Sequence, residues 1–430
     1  MIRFSLVIFC SLVLCHQAFA VESSFKGLVD VRAVTVSSGN DTYLVGDYGK
    51  FRYSDGEQLA LDLLGLQYHA KFDNDLSFNL IANGYADDND SAFGITEAFI
   101  KYKGLPSENG WRWQGKAGIY YPKISIENTS TAWSTPHTLT SSVINNWVGE
   151  ELRSTGVNVK LEKLGKFNSS KNNFAIDVDL FVNNESAGAI LTWHGWTLGS
   201  RQTLLGETLI LPDIPALDGM LSAQAHQSDP FIELDDKVGI NLVGEWHYDK
   251  TLKMHLGYYN NNAEKGLVEH GQYTWTTYFI HSGLKYAFAP SWEVSAQYMA
   301  GNTLMTSPPI TVVDDNDDSG AYSSTRTYRI SVVDNDFASM FLMIKKQWRE
   351  HQIALRLEQF EVDDLDQIEG DNNNETGDAF TFTYRYKMNR QMFMLAEYNI
   401  VDSQRWSRSY HSQPMNLTEE QYQFSVRYYF

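Results

Sequence analysis

The chain has 430 residues, of which 43% are hydrophobic and 13% aromatic, with a net charge of −19 and a mean hydropathy of −0.34. The apolar content excludes a disordered chain, and the acidic balance argues against a nucleic-acid binder held by phosphate contacts. A bundle of spanning helices is excluded as well. Past residue 20 the longest apolar run is 340–344, far short of the ~20 residues a helix needs to cross a bilayer.

The N-terminus comes first. Arg3 opens it, 4–14 is almost wholly apolar, and Ala18-Phe-Ala20 offers a small-x-small cleavage pattern. Together these predict a secretory leader over 1–20, removed on export. Cys10 and Cys15 both lie inside it. The exported chain, 21–430, therefore carries no cysteine, which excludes disulfides, thiol catalysis and cysteine-bound metals.

From there on the dominant pattern is a strict two-residue alternation. In 25–33, Phe25, Gly27, Val29, Val31 and Ala33 share one face, while Lys26, Asp30 and Arg32 take the other. The pattern recurs at 64–72, 76–85, 94–103, 111–121, 156–162, 174–182, 238–248 and 252–259. It continues at 276–288, 292–300, 338–348, 352–360, 379–387, 392–400 and 421–430. Most of these stretches have the length a tilted strand needs to span a bilayer. The connections between them alternate. Tight turns such as 249–251 and 289–291 are followed by long segments such as 122–155, 183–237 and 301–337. Proline cannot serve inside a ladder. All ten (Pro106, Pro122, Pro136, Pro212, Pro215, Pro230, Pro290, Pro308, Pro309 and Pro414) fall in connections. The prediction is an all-β fold: an up-and-down antiparallel transmembrane barrel of about 16 strands, with short periplasmic turns and long external loops.

In lipid every backbone polar group needs a protein partner, so such a sheet has to close. The polar alternate residues then face inward. The predicted pore lining includes Arg32, Lys101, Arg112, Lys116, Lys160, Arg356 and Arg385, with Glu97 and Glu358 among the acidic members. Basic residues outnumber acidic ones on this wall, so the strong negative charge sits in loops such as 361–378 and 314–318. Those runs suit either a solvated repulsive face or divalent cations bridging to lipopolysaccharide. A half-match to a calcium loop at 315–320 lacks its closing glutamate, since Arg326 stands there. Sixteen strands make a ring too wide for side chains to fill, leaving a water channel unless a loop enters it. The loop 122–155 mixes apolar, hydroxyl and charged residues and is the candidate constriction. Glu150, Glu151 and Arg153 are expected near Arg112, Lys116 and Lys160; a surface lid is the competing reading.

The last strand places Phe424, Val426, Tyr428 and Phe430 on one face and ends on an aromatic residue. It resembles the terminal signature by which the barrel-assembly machinery recognises outer-membrane proteins. By strand number, loop rhythm and this ending, the whole exported chain resembles a Gram-negative outer-membrane porin. Ile95-Thr-Glu-Ala-Phe-Ile-Lys-Tyr102, Gly115-Lys-Ala-Gly118 and Trp147-Val-Gly-Glu-Glu-Leu-Arg153 make it similar to the phosphate-selective porin O/P-like group. The resemblance implies a homotrimer of channels in outer-membrane lipid and lipopolysaccharide, passing small hydrophilic, often anionic, solutes. The reading is of a diffusion channel with mild anion preference, not an enzyme, with no cofactor, no metal and no nucleic-acid partner. A barrel enzyme and a surface binder or adhesin are the alternatives. The first needs a nucleophile motif, and His69, His247, His255 and His281 fall inward without one. The second would use 183–237, whose Trp193-His-Gly-Trp196 is apolar enough to pack over the mouth or against a neighbouring subunit.

Overall fold

The computed structural model describes residues 22–430 apart from 73–74, 87–90, 315–323 and 367. The expected leader and the half calcium-loop pattern lie outside the described residues. Sixteen antiparallel strands close into one barrel. In chain order they are β1 (Glu22–Ser37), β2 (Gly56–Lys71), β3 (Leu76–Ala86), β4 (Ser91–Lys103), β5 (Trp111–Tyr120), β6 (Ser154–Lys163), β7 (Asn172–Val182) and β8 (Gly239–Tyr248). The second half comprises β9 (Leu252–Asn260), β10 (Trp275–Ala289), β11 (Trp292–Thr306), β12 (Ser331–Trp348), β13 (His351–Asp364), β14 (Glu375–Lys387), β15 (Met392–Arg405) and β16 (Asn416–Tyr429).

Each strand pairs with its neighbours in sequence, and β1 pairs with β16 to close the ring, from Leu28 opposite Tyr429 to Ser37 opposite Glu420. The seam ends on the last residue. Phe430 N–H donates to Gly27 O at 3.1 Å, and Gly27 N–H donates to Phe430 O at 2.9 Å. A Cβ on Gly27 would stand 2.1 Å from the Phe430 ring, so any larger residue here has to displace that ring.

Several strands run beyond the alternation that predicts them. β12 begins at Ser331, although its hydrophobic period starts at 338. Asp334 and Asp336 take outward positions there, so the hydrophobic signal stops while the hydrogen-bonded ladder continues. The inside-outside phase is the one the sequence predicts. Outward aromatics stand exposed near the short-turn end at Tyr102, Trp246, Tyr286, Phe288, Trp348, Tyr386 and Tyr428, with Phe93, Tyr258 and Tyr278 toward the other end. Phe424, Val426 and Phe430 are exposed on the same outer face.

The long loops fold inward. Within 121–153 lies α1 (Val143–Glu151), and within 183–238 lies α2 (Ala189–His194); every residue of both is buried. Trp147 of α1 packs among Trp196, Phe279 and Phe337, at ring-centroid distances of 6.0, 5.7 and 5.3 Å. Around it Val143, Ile144, Val148 and Leu152 join Phe341, Met343 and Phe360 of the wall in one apolar core inside the barrel. β12 is consequently apolar on both faces: Phe337, Phe341 and Met343 point in, while Met340 and Leu342 point out. A strand covered on both sides reads as a continuous apolar run, which is the physical origin of 340–344.

Candidate functional site

One arc of the barrel wall holds the 121–153 loop by its main chain. Arg356 on β13 donates to Thr140 O at 2.9 Å and Ser141 O at 3.0 Å, and its Nε donates to Glu358 at 2.6 Å. Glu358 accepts Val143 N–H at 2.8 Å, and Glu397 on β15 accepts Leu139 N–H at 2.6 Å and Thr140 N–H at 3.0 Å. Arg385 donates to Pro136 O at 2.7 Å, Arg427 to Thr135 O at 2.8 Å, and Arg32 to Leu139 O at 3.1 Å. Inside the loop, Glu127 accepts Ser142 N–H at 2.7 Å and lies 3.3 Å from Arg356. Ser142 is the N-cap of α1, its side chain accepting Asn145 N–H. Charged groups bonding buried backbone are the strong kind of hydrogen bond, so this arc is a dock.

That placement corrects the sequence reading of Arg32, Arg356, Arg385 and Glu358. All four face inward, as the alternation requires, but the loop buries Arg32, Arg356 and Glu358 and leaves Arg385 half-buried. Glu150, Glu151 and Arg153 bond partners other than the wall cations Arg112, Lys116 and Lys160 expected beside them. Glu151 accepts Trp147 Nε1–H at 2.6 Å, Ile190 N–H at 2.9 Å and Gly188 N–H at 3.0 Å, tying α1 to the start of α2. Glu150 accepts from Asn146 at 3.2 Å. Arg153 donates to Thr203 O at 2.7 Å and lies 3.9 Å from the Phe231 ring centroid. Burial, with Glu151 beside it, pushes the Glu150 carboxyl up to about 8, and burial pushes Glu151 up to about 7. Glu151 and Arg153 thus join two loops, while Glu150 bonds within its own helix.

The opposite arc, β4 to β7, borders open space. A cavity of about 490 Å³ reaches from the short-turn end up to Tyr121, Pro122 and Lys123 of the loop. Six cations line it (Lys101, Lys103, Arg112, Lys116, Lys123 and Lys160) against three carboxylates, Glu97, Glu162 and Asp177. Arg112 bonds Glu162 at 2.7 Å, and Lys160 bonds Glu245. Lys101, Lys103 and Lys116 have no carboxylate partner among the described residues. Lys116 instead lies over the Tyr120 ring, 4.8 Å from its centroid. Thus Lys101, Arg112, Lys116, Lys160 and Glu97 come together on one lumenal surface. Lys123 belongs to it too, and sequence reasoning missed it because a loop lysine carries no period that fixes its direction. Glu127 escaped notice for the same reason.

No family model and no curated relative matches the chain. Among solved structures, the barrel is similar to the outer-membrane channel DcaP of Acinetobacter baumannii, at 10% identity and a TM-score of 0.53, covering 95% of this chain and 97% of that one. It is also similar to an anion-selective porin from Comamonas acidovorans, at 11% identity and 0.50, covering 95% and 100%. A third likeness is to the trimer form of OmpT from Vibrio cholerae, at 9% and 0.50, covering 96% and 100%. The fold is that of the outer-membrane porins. At such identities the likeness is one of architecture: strand number, closure and the rhythm of turn and loop.

Proposed function

We propose that the protein is a channel of a Gram-negative outer membrane through which small hydrophilic solutes diffuse, anions in preference to cations. The observation that carries this reading is the cationic cavity along β4 to β7, with six cations facing three carboxylates. A low-dielectric cleft lined mainly by one sign of charge concentrates ions of the other sign. The exposed aromatic residues at the short-turn end suit a membrane interface, where an amphipathic ring sits at headgroup depth. In this reading the short turns are periplasmic, the long loops external, and lipopolysaccharide surrounds the outer rim. The terminal strand, Phe424 to Phe430, serves the assembly machinery. The trimer form of one similar barrel and the anion selectivity of another are consistent with a homotrimer and an anionic cargo.

The test is reconstitution in a planar lipid bilayer. Stepwise conductance with a reversal potential on the anion side in a potassium chloride gradient is expected. Absence of steps, or marked cation selectivity, overturns the reading. In this reading the 121–153 loop, held by that arc, serves as the constriction, and deleting 134–146 should enlarge the unit conductance.

A further inference from the structure

The 183–238 loop leaves β7 and returns to β8 through two stretches that meet at the long-loop end of the barrel. Glu185 on the outgoing stretch lies with Glu233 and Asp235 on the returning one, and one carboxylate oxygen from each falls within 4.8 Å of the others. Glu185 is 2% exposed, and among the described residues its Oε2 has no hydrogen-bond partner. The side-chain amide oxygens of Asn183 and Asn184, residues 8% and 1% exposed, are likewise without partners among the described residues. Asn183 is held at this point, its N–H donating to Glu233 at 2.9 Å and its amide nitrogen to Phe231 O at 3.0 Å. All three orphaned atoms are acceptors. The nearest cation along the chain, Lys237, is engaged with Glu264 at 3.4 Å. Burial and the repulsion of Glu233 and Asp235 push the Glu185 carboxyl up to about 7.

Buried acceptors without donors are costly, and a cation held among the three carboxylates removes that cost for Glu185 Oε2. We propose that Glu185, Glu233 and Asp235, with the Asn183 amide oxygen, bind a divalent cation. Carboxylates and an amide oxygen are hard ligands, and they come here from two separate loop stretches instead of an octahedral cage, which favours Ca²⁺ over Mg²⁺. The ion acts on the lumen through short links. Glu185 O accepts Trp275 N–H at 2.6 Å, and Ala187 O accepts the Thr277 hydroxyl at 2.5 Å. Gly188 and Ile190 then donate to Glu151 of α1. Calcium would therefore fasten the root of the loop whose helix bears on the constriction.

The full exported chain, refolded into detergent without lipopolysaccharide and stripped with EDTA, is titrated with calcium chloride by calorimetry. One Ca²⁺ per chain is expected, with a dissociation constant no weaker than about 1 mM. Glu185→Gln and Asp235→Asn should each weaken it by more than roughly tenfold, while Asp378→Asn, on the acidic outer face, should leave it unchanged. Heat-modifiable migration verifies that each variant forms a barrel, and should Glu185→Gln fail to fold, Asp235→Asn decides. No uptake by the stripped wild-type chain, or equal affinity in folded Asp235→Asn, overturns the proposal.

Discussion

Replacing Arg356 with alanine should unseat the 121–153 loop. The guanidinium is 0% exposed, and one face of it meets Glu358 and Glu127 while the other donates to the carbonyls of Thr140 and Ser141. Truncation leaves two buried carboxylates without their counter-charge, and each of them holds backbone or side-chain groups of the loop. Breaking a buried pair by removing one partner costs about 3–5 kcal/mol. At about 1.4 kcal/mol per tenfold, that is a change of roughly 10² to 10⁴ in the ratio of seated to unseated loop. Glu397 and Arg427 still grip 135–140, so the loss should be confined to the Thr140–Val143 end and to the α1 start. Single-channel recording is the assay: Arg356→Ala should show larger steps and more open-channel noise than wild type. Arg356→Lys, which keeps the charge but not the planar fork, should fall between them. Unit conductance and noise equal to wild type in a folded Arg356→Ala barrel would refute the docking role.

Neutralising Lys101 and Lys116 together to glutamine should move the reversal potential toward cations, because both line the cavity without a carboxylate partner; an unmoved potential would mean that ions travel elsewhere. The joint between α1 and α2 should respond to pH. Glu150 and Glu151 are raised from the ordinary 4.5 to about 8 and about 7, so their neutral forms favour the buried position. Seating should then be strongest below pH 4.5 and weaken as pH climbs through 7 to 8. Protease protection of the loops measured from pH 5 to 9 should fall with rising pH, and Glu150→Gln should flatten the upper part of that profile; protection that increases with pH contradicts it. Gly27→Val should displace the Phe430 ring, which a Cβ would approach to 2.1 Å, and open the seam. Reduced yield of heat-modifiable barrel on refolding is the expected result, and wild-type yield would mean that the ring moves freely.

The sequence carried the barrel plainly because two independent signals converged on it. Alternation placed Lys101 and Lys116 on one face with Ile100 and Ala117 on the other, and proline marked where ladders had to stop. The phase came with it, since a one-residue slip would turn every lysine of β4 into lipid. The use of that inner face was not legible. Arg32 and Arg356 follow the same alternation as Lys101 and Arg112, yet the first two grip a loop and the others border open space. What separates them is the path of 121–153, fixed by side chains bonding its carbonyls and amides, and a backbone acceptor leaves no mark in a sequence. The apolar run 340–344 did hold a trace of the filled lumen. It signalled a strand covered on both faces, but five residues do not say which segment covers the inner one.

The grip on main-chain atoms has a consequence for how such a passage diversifies. Arginines and glutamates that clasp peptide groups hold the course of 135–140 when its half-buried members, Pro136 and His137, are exchanged, whereas Thr135, Thr138 and Thr140 are buried and spend their hydroxyls on Thr138 O, Thr140 O and Glu397. New aperture chemistry can then arise by point change along a path the scaffold continues to impose.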